Sequence, residues 1–86
     1  MVTSEPSISP SIAIQIAHSG LAEEVVVVEW LAVDGQLVEA GSPLVLIESE
    51  KTQIEVESPA SGRLEIVVPA SDIDVAVGTT IGRIHP

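Results

Sequence analysis

Twenty-three of the apolar residues in this chain are Val or Ile, against six Leu. Branching at Cβ stiffens a side chain in a helix and suits it to a pleated, half-buried surface. No stretch repeats its apolar residues with a strong helical period, and Gly or Pro interrupts the chain about every ten residues. The chain therefore reads as short strands joined by tight turns. Ser11–Ile16 alternates, with Ile12, Ile14 and Ile16 inward; Glu24–Leu31 is a longer strand ending near Trp30. A short strand at Leu37-Val38 follows a turn at Val33–Gln36, and Pro43–Ser49 follows a turn at Ala40–Ser42. The near-continuous apolar run of Pro43–Ser49 suggests a strand covered on both faces. Gln53–Glu57 alternates with Ile54 and Val56 inward. Arg63–Val68, a short strand at Val75 and Thr80–Ile84 complete the set. Eight short strands predict an all-β flattened barrel or sandwich of two four-stranded antiparallel sheets.

A weak internal repeat supports that architecture. Shifted by 37 residues, Val27–Leu31 falls on Leu64–Val68, Val38 on Val75, Gly41 on Gly78, Leu44 on Ile81 and Ile47 on Ile84. Two strand–turn–strand halves related by a pseudo-two-fold axis would bury one shared core. Residues 1–10, rich in Ser and Pro, read as a flexible lead before a single domain over 11–86.

Charge narrows the function. Thirteen acidic residues oppose only Lys51, Arg63 and Arg83, for a net charge of −10. Nucleic acid is excluded as a partner, because phosphate binding needs clustered Lys and Arg, and Trp30 alone makes no base-stacking platform. There is no Cys, hence no disulfide or thiolate metal site. No apolar run has the length to span a membrane. The first residues have neither the basic start nor the apolar stretch of a signal peptide. A soluble cytoplasmic domain, or a mitochondrial-matrix one in a eukaryote, is the expectation.

The one lysine stands between two strand-like runs, in Glu48-Ser49-Glu50-Lys51-Thr52. In a chain with a single lysine, that position is the only side-chain target for chemistry on a primary amine. An ordinary turn lysine softening repulsion among its carboxylate neighbours is the plain alternative.

Glu48–Thr52, with Ile54-Glu55-Val56 and Ser58–Gly62 after it and Val28–Leu31 and Asp34–Leu44 before it, resembles the lipoyl domains of 2-oxo acid dehydrogenase complexes. Three landmarks coincide with positions that family uses to frame its lysine: Gly35, sixteen residues before Lys51; Glu48, three before; and Gly62, eleven after. The resemblance implies lipoic acid in amide linkage to Lys51, serving as a swinging arm that passes acyl groups and electrons between active sites. It implies recognition of Gly35, Glu48, Glu50, Thr52 and Gly62 by the modifying enzyme or by partners. Those partners would be a lipoate ligase or lipoyl/octanoyl transferase, a 2-oxo acid decarboxylase, an acyltransferase catalytic domain and dihydrolipoamide dehydrogenase. The domain itself would be a non-catalytic carrier, whether whole or part of a dihydrolipoamide acyltransferase. Glu50 and Thr52 depart from the family's usual Asp before and Ala after the lysine, which bears on partner choice.

A biotinyl carrier domain of a carboxylase resembles the same fold, but that family flanks its lysine with Met, and Met1 is the only Met here. The glycine-cleavage carrier protein is longer, with more helix. An unmodified barrel-sandwich module is the remaining alternative. Elsewhere, Trp30 reads as a core anchor. His18 and His85 lack partners for catalysis, and Asp72 and Asp74 are too few for a calcium site. Neither a catalytic group nor a metal site is expected.

Overall fold

The computed structural model describes residues 10–16, 23–49 and 52–86. The first nine residues, read above as a lead, lie outside the described residues, as do His18, Glu50 and Lys51. Eight strands follow in order: β1 (Ile12–Gln15), β2 (Glu24–Trp30), β3 (Leu37–Val38), β4 (Pro43–Ser49), β5 (Thr52–Glu57), β6 (Gly62–Ile66), β7 (Asp74–Ala76) and β8 (Thr80–His85). They form two four-stranded antiparallel sheets, in the orders β1-β8-β6-β3 and β5-β4-β2-β7. The described residues contain no helix.

Adding four to each strand number of the first half converts one sheet order into the other, so the expected two-fold relation holds at the level of topology. Several bonds follow it too. The Leu31 amide donates to the Leu44 carbonyl (2.7 Å), and 37 residues on, the Val68 amide donates to the Ile81 carbonyl (2.9 Å). The Gly41 amide donates to Ser58 (2.9 Å), and its repeat mate Gly78 donates to Ile16 (3.1 Å). Two of the three register slips repeat as well; the third, in β2–β4 at Val28, has no mate in β6–β8. Between β4 and β5 the register slips between Pro43 and Val45, and between β8 and β1 it slips opposite Ile14 and Gln15, where Ile81 is passed over.

Those two slips shape the core. A bulge lets two consecutive residues point the same way, and at these places Leu44 and Ile81 are turned inside, both fully buried. This corrects the reading of β4 as covered on both faces. Leu44, Val45 and Ile47 are buried, but Leu46 is only partly so, and it pairs with the exposed Glu29 and Glu55. The apolar run is continuous because a bulge packs Leu44 and Val45 together, not because a second layer lies outside.

Ile14, Ile16, Val25, Val27, Val38, Leu64 and Ile84 complete the inner surface with Ala32. Each fully buried Leu or Ile contributes about 1.5–3 kcal/mol by leaving water. Trp30 is partly buried against this core and ties the two sheets together. From β2 its Nε1 donates to the Val68 carbonyl just after β6 (2.9 Å), and its ring packs on Gly82 of β8, where an added Cβ would stand 3.0 Å from Cη2.

Candidate functional site

The β4–β5 pair positions the lysine segment. Ile47 faces Ile54, Glu48 faces Gln53 and Ser49 faces Thr52. The two strands are therefore paired up to Ser49 and Thr52, and positions 50 and 51 are what connects them. β4 is an interior strand, held by β5 on one side and β2 on the other, where Glu48 lies opposite Val26. Ser49 is 7% exposed and Ile47 3%. The segment before the lysine is thus fixed by core packing as well as by its ladder, whereas Thr52 and Gln53 are exposed.

The outer face of this sheet is acidic. Glu48 is half-buried, and Glu24, Glu29, Glu55, Glu57 and Asp74 are exposed. Alternation and register place all six on the side away from the core, around Val26 and Leu46. No described Lys, Arg or His lies on that face.

Sequence-predicted recognition residues separate into two groups. Glu48 and Thr52 stand beside the lysine position. Glu50 and Lys51 themselves lie outside the described residues. Gly62 is not beside them. It opens β6 opposite Val38, and β6 follows the far end of β5, a six-residue strand that spans roughly 17 Å. Gly35 lies with Gly62 on the other sheet's side, its amide donating to the Leu64 carbonyl (2.7 Å).

Both glycines have backbone reasons to be there. The Gln36 amide closes a turn onto Val33 (3.0 Å), and Gly35 occupies its third position with φ +87°, the geometry that a type II turn demands. At Gly62 φ is +155°, and an added Cβ would come 2.5 Å from the His85 carbonyl oxygen. Three supporting contacts escaped the sequence reading. Asp34 Oδ1 accepts from the Ile66 amide (2.7 Å), Ser61 Oγ accepts from the Ala40 amide (2.9 Å), and the buried Ser58 hydroxyl donates to the Ala60 carbonyl (2.6 Å). The Asp-Gly pair and the Ser-rich loop were visible as turns; the side-chain bonds that hold them were not.

Among the described residues, no three His, Cys, Asp or Glu side chains gather in a way that could hold a metal ion.

A family described as biotin-requiring enzyme, which takes in biotinyl and lipoyl domains, matches residues 12–84, and the chain belongs to it. Domains of this family are small carriers that bear a covalently attached cofactor on a lysine. The chain is 36% identical over 62 residues to a dihydrolipoyllysine-residue succinyltransferase component of the 2-oxoglutarate dehydrogenase complex from Rickettsia bellii, covering 72% of this chain and 16% of that protein. It is 34% identical over 68 residues to a dihydrolipoyllysine-residue acetyltransferase component of the pyruvate dehydrogenase complex from Azotobacter vinelandii, covering 79% and 11% respectively. The chain thus spans only a small part of these relatives. Among solved structures, a single-chain, multi-domain long-chain acyl-CoA carboxylase contains a similar fold, with a TM-score of 0.63 and 25% identity over all of this chain and 8% of that one. The sequence relatives support a lipoyl carrier role over a biotinyl one.

Proposed function

We propose that the domain carries lipoic acid in amide linkage on Lys51 and serves a 2-oxo acid dehydrogenase complex. One observation carries this reading: the chain's only lysine falls in the two-residue connection between the paired Ser49 and Thr52, in a family whose cofactor is attached to lysine. The bound group would supply a dithiolane that accepts an acyl group with electrons and gives them up elsewhere. The chain's own part is mechanical. β4, locked between β2 and β5, fixes where the attachment point leaves the sheet, and covalent tethering replaces diffusion with a high effective concentration at each active site. Glu48, Glu50 and Thr52 flank that point and are the residues through which a lipoate ligase or lipoyl/octanoyl transferase would recognise it. Gly35 and Gly62 would act through the backbone that supports it.

The partners in this reading are a 2-oxo acid decarboxylase, an acyltransferase catalytic domain and dihydrolipoamide dehydrogenase, in the cytoplasm or in a mitochondrial matrix. The acidic outer face of the β5-β4-β2-β7 sheet suits approach to basic surfaces on such enzymes. A biotinyl carrier is the second reading, favoured by the carboxylase structure that shares the fold.

Intact mass separates the two. Incubation with a lipoate ligase and lipoate should add one lipoyl group, and incubation with a biotin ligase and biotin should add nothing. Lys51→Arg should abolish the gain. A lipoyl mass on Lys51→Arg would refute the assignment of the site, and a biotinyl mass on the native chain would reverse the choice of cofactor. Exchanging Glu50 and Lys51 should leave the denaturation midpoint nearly unchanged while modification falls sharply.

A further inference from the structure

We propose that Asp34-Gly35 is a latent isoaspartate site, held closed by β6. The reading is independent of which cofactor the domain bears. Among aspartates, one followed by glycine is the most open to backbone isomerisation, because no side chain shields the following amide. This chain has no Asn and only one Asp-Gly pair; its other aspartates, Asp72 and Asp74, precede the β-branched Ile73 and Val75. The Asp34-Gly35 turn is exposed, and nothing lies within 4 Å of where a Gly35 side chain would begin. By sequence and exposure it should age quickly.

The structure occupies both reacting groups. In the reaction the Gly35 amide nitrogen loses its proton and bonds to Asp34 Cγ, one carboxyl oxygen leaves as water, and a five-membered succinimide forms. Water then opens the ring. Attack at Cγ restores aspartate; attack at the main-chain carbonyl gives isoaspartate, with the backbone now running through Cγ. Here the nucleophile's N–H is donated to the carbonyl of Leu64, a residue 1% exposed, at 2.7 Å. The electrophile's Oδ1 accepts from the Ile66 amide, also at 2.7 Å. The Leu64 amide donates in turn to the Gln36 carbonyl (2.9 Å), so the turn is docked on β6 by three bonds. Ring closure requires the Gly35–Leu64 bond to break, because the amide nitrogen must give up its proton and turn onto Cγ. The rate in the folded domain is then the rate of the free turn multiplied by the fraction of time the turn is undocked.

The lesion would also lock the turn open. Isoaspartate adds a methylene to the main chain and moves the free carboxylate onto Cα. The acceptor for Ile66 and the register of Gly35 are lost together. β3, which begins two residues later and pairs only with β6, would lose its anchor.

The test compares three samples at one pH and temperature: the folded chain, the chain in urea, and a peptide of residues 31–38. Isoaspartate is counted by enzymatic methylation and located by electron-transfer mass spectrometry, and exchange of the Gly35 amide is followed alongside. The urea and peptide samples should convert at similar rates. The folded chain should convert at least about a hundredfold more slowly, by the same factor that protects the Gly35 amide. Asp34→Glu, which cannot close a five-membered ring, should form no lesion. Conversion of the folded chain at the peptide's rate overturns the proposal. So does a Gly35 amide that is protected while Asp34 converts freely, or an unfolded chain that does not convert.

Discussion

The two sheets are built to one backbone plan and finished with opposite surfaces. Strand order, the bulges at Leu44 and Ile81 and several turn bonds repeat from one half to the other. The outward side chains do not. On the sheet that leads to Lys51, repeat positions hold Val26, Leu46 and Glu48; on the other they hold Arg63, Arg83 and His85. The first face gathers six carboxylates with no described cation. The second gathers every described Arg and His, and Glu65 stands among them, 2.7 Å from His85 Nε2 and directly opposite Arg83. One backbone accepting both surfaces shows that the fold requires neither. The one carboxylate of the cationic face is paired across strands with His85, which is a structural use of charge. The acidic face leaves like charges unpaired, at a small cost to stability.

The shared plan can be broken most severely at the paired bulges. Leu44 and Ile81 are repeat mates, both fully buried where the register slips. Leu44→Ala and Ile81→Ala should each cost about 2–5 kcal/mol, and equivalence of the halves requires the two losses to agree within about 1 kcal/mol. Trp30 fluorescence in a denaturant titration reads both. If one bulge tolerates the change and the other does not, the halves share a topology but not an energetic plan.

The next comparison uses a position where the plan is not shared. Gly62 is the mate of Val25, a buried strand residue. Gly62→Ala must strain φ, costing about 1–3 kcal/mol, and must also push the His85 carbonyl aside. Gly35→Ala has open space and should cost only about 1–2 kcal/mol, from φ alone. If both variants remain folded at 25 °C and the ligase modifies both at the native rate, neither glycine is read by the enzyme and their role is confined to the backbone.

How much of this was legible follows from the range of each signal. Alternation and β-branching are local, so all eight strands could be placed to within two or three residues. The 37-residue repeat survived because both halves bury the same inward positions. The bulges were hidden: Pro43–Ser49 looks the same whether its apolar run is covered twice or kinked once, and only the register against Glu57 and Val56 decides. Gly62 was singled out by its distance from Lys51 along the chain, yet it stands a strand's length from Thr52. Its necessity comes from His85, 23 residues away, which no local pattern records.

The smallest expected effect sharpens the contrast of the two faces. Glu55 and Glu57 are exposed on one side of the edge strand β5, with no cation across from them among the described residues. Neutralising both, Glu55→Gln with Glu57→Gln, should stabilise the domain by about 0.2–0.5 kcal/mol in dilute buffer, and the gain should vanish at high salt as screening removes the repulsion. Glu65→Gln should do the opposite. It takes the one carboxylate from among Arg63, Arg83 and His85, and should destabilise by about 0.5 kcal/mol or less, since these groups are solvent-exposed and screened. Melting temperatures at two ionic strengths provide the measurement. The functional reading adds a second one. If the carboxylates of the first face steer the domain to its partners, the Glu55/Glu57 double variant, though slightly more stable, should be acylated more slowly by a 2-oxo acid decarboxylase at low salt, and Glu65→Gln should not. Equal acylation rates for the two variants would leave the acidity of that face without the role given to it here.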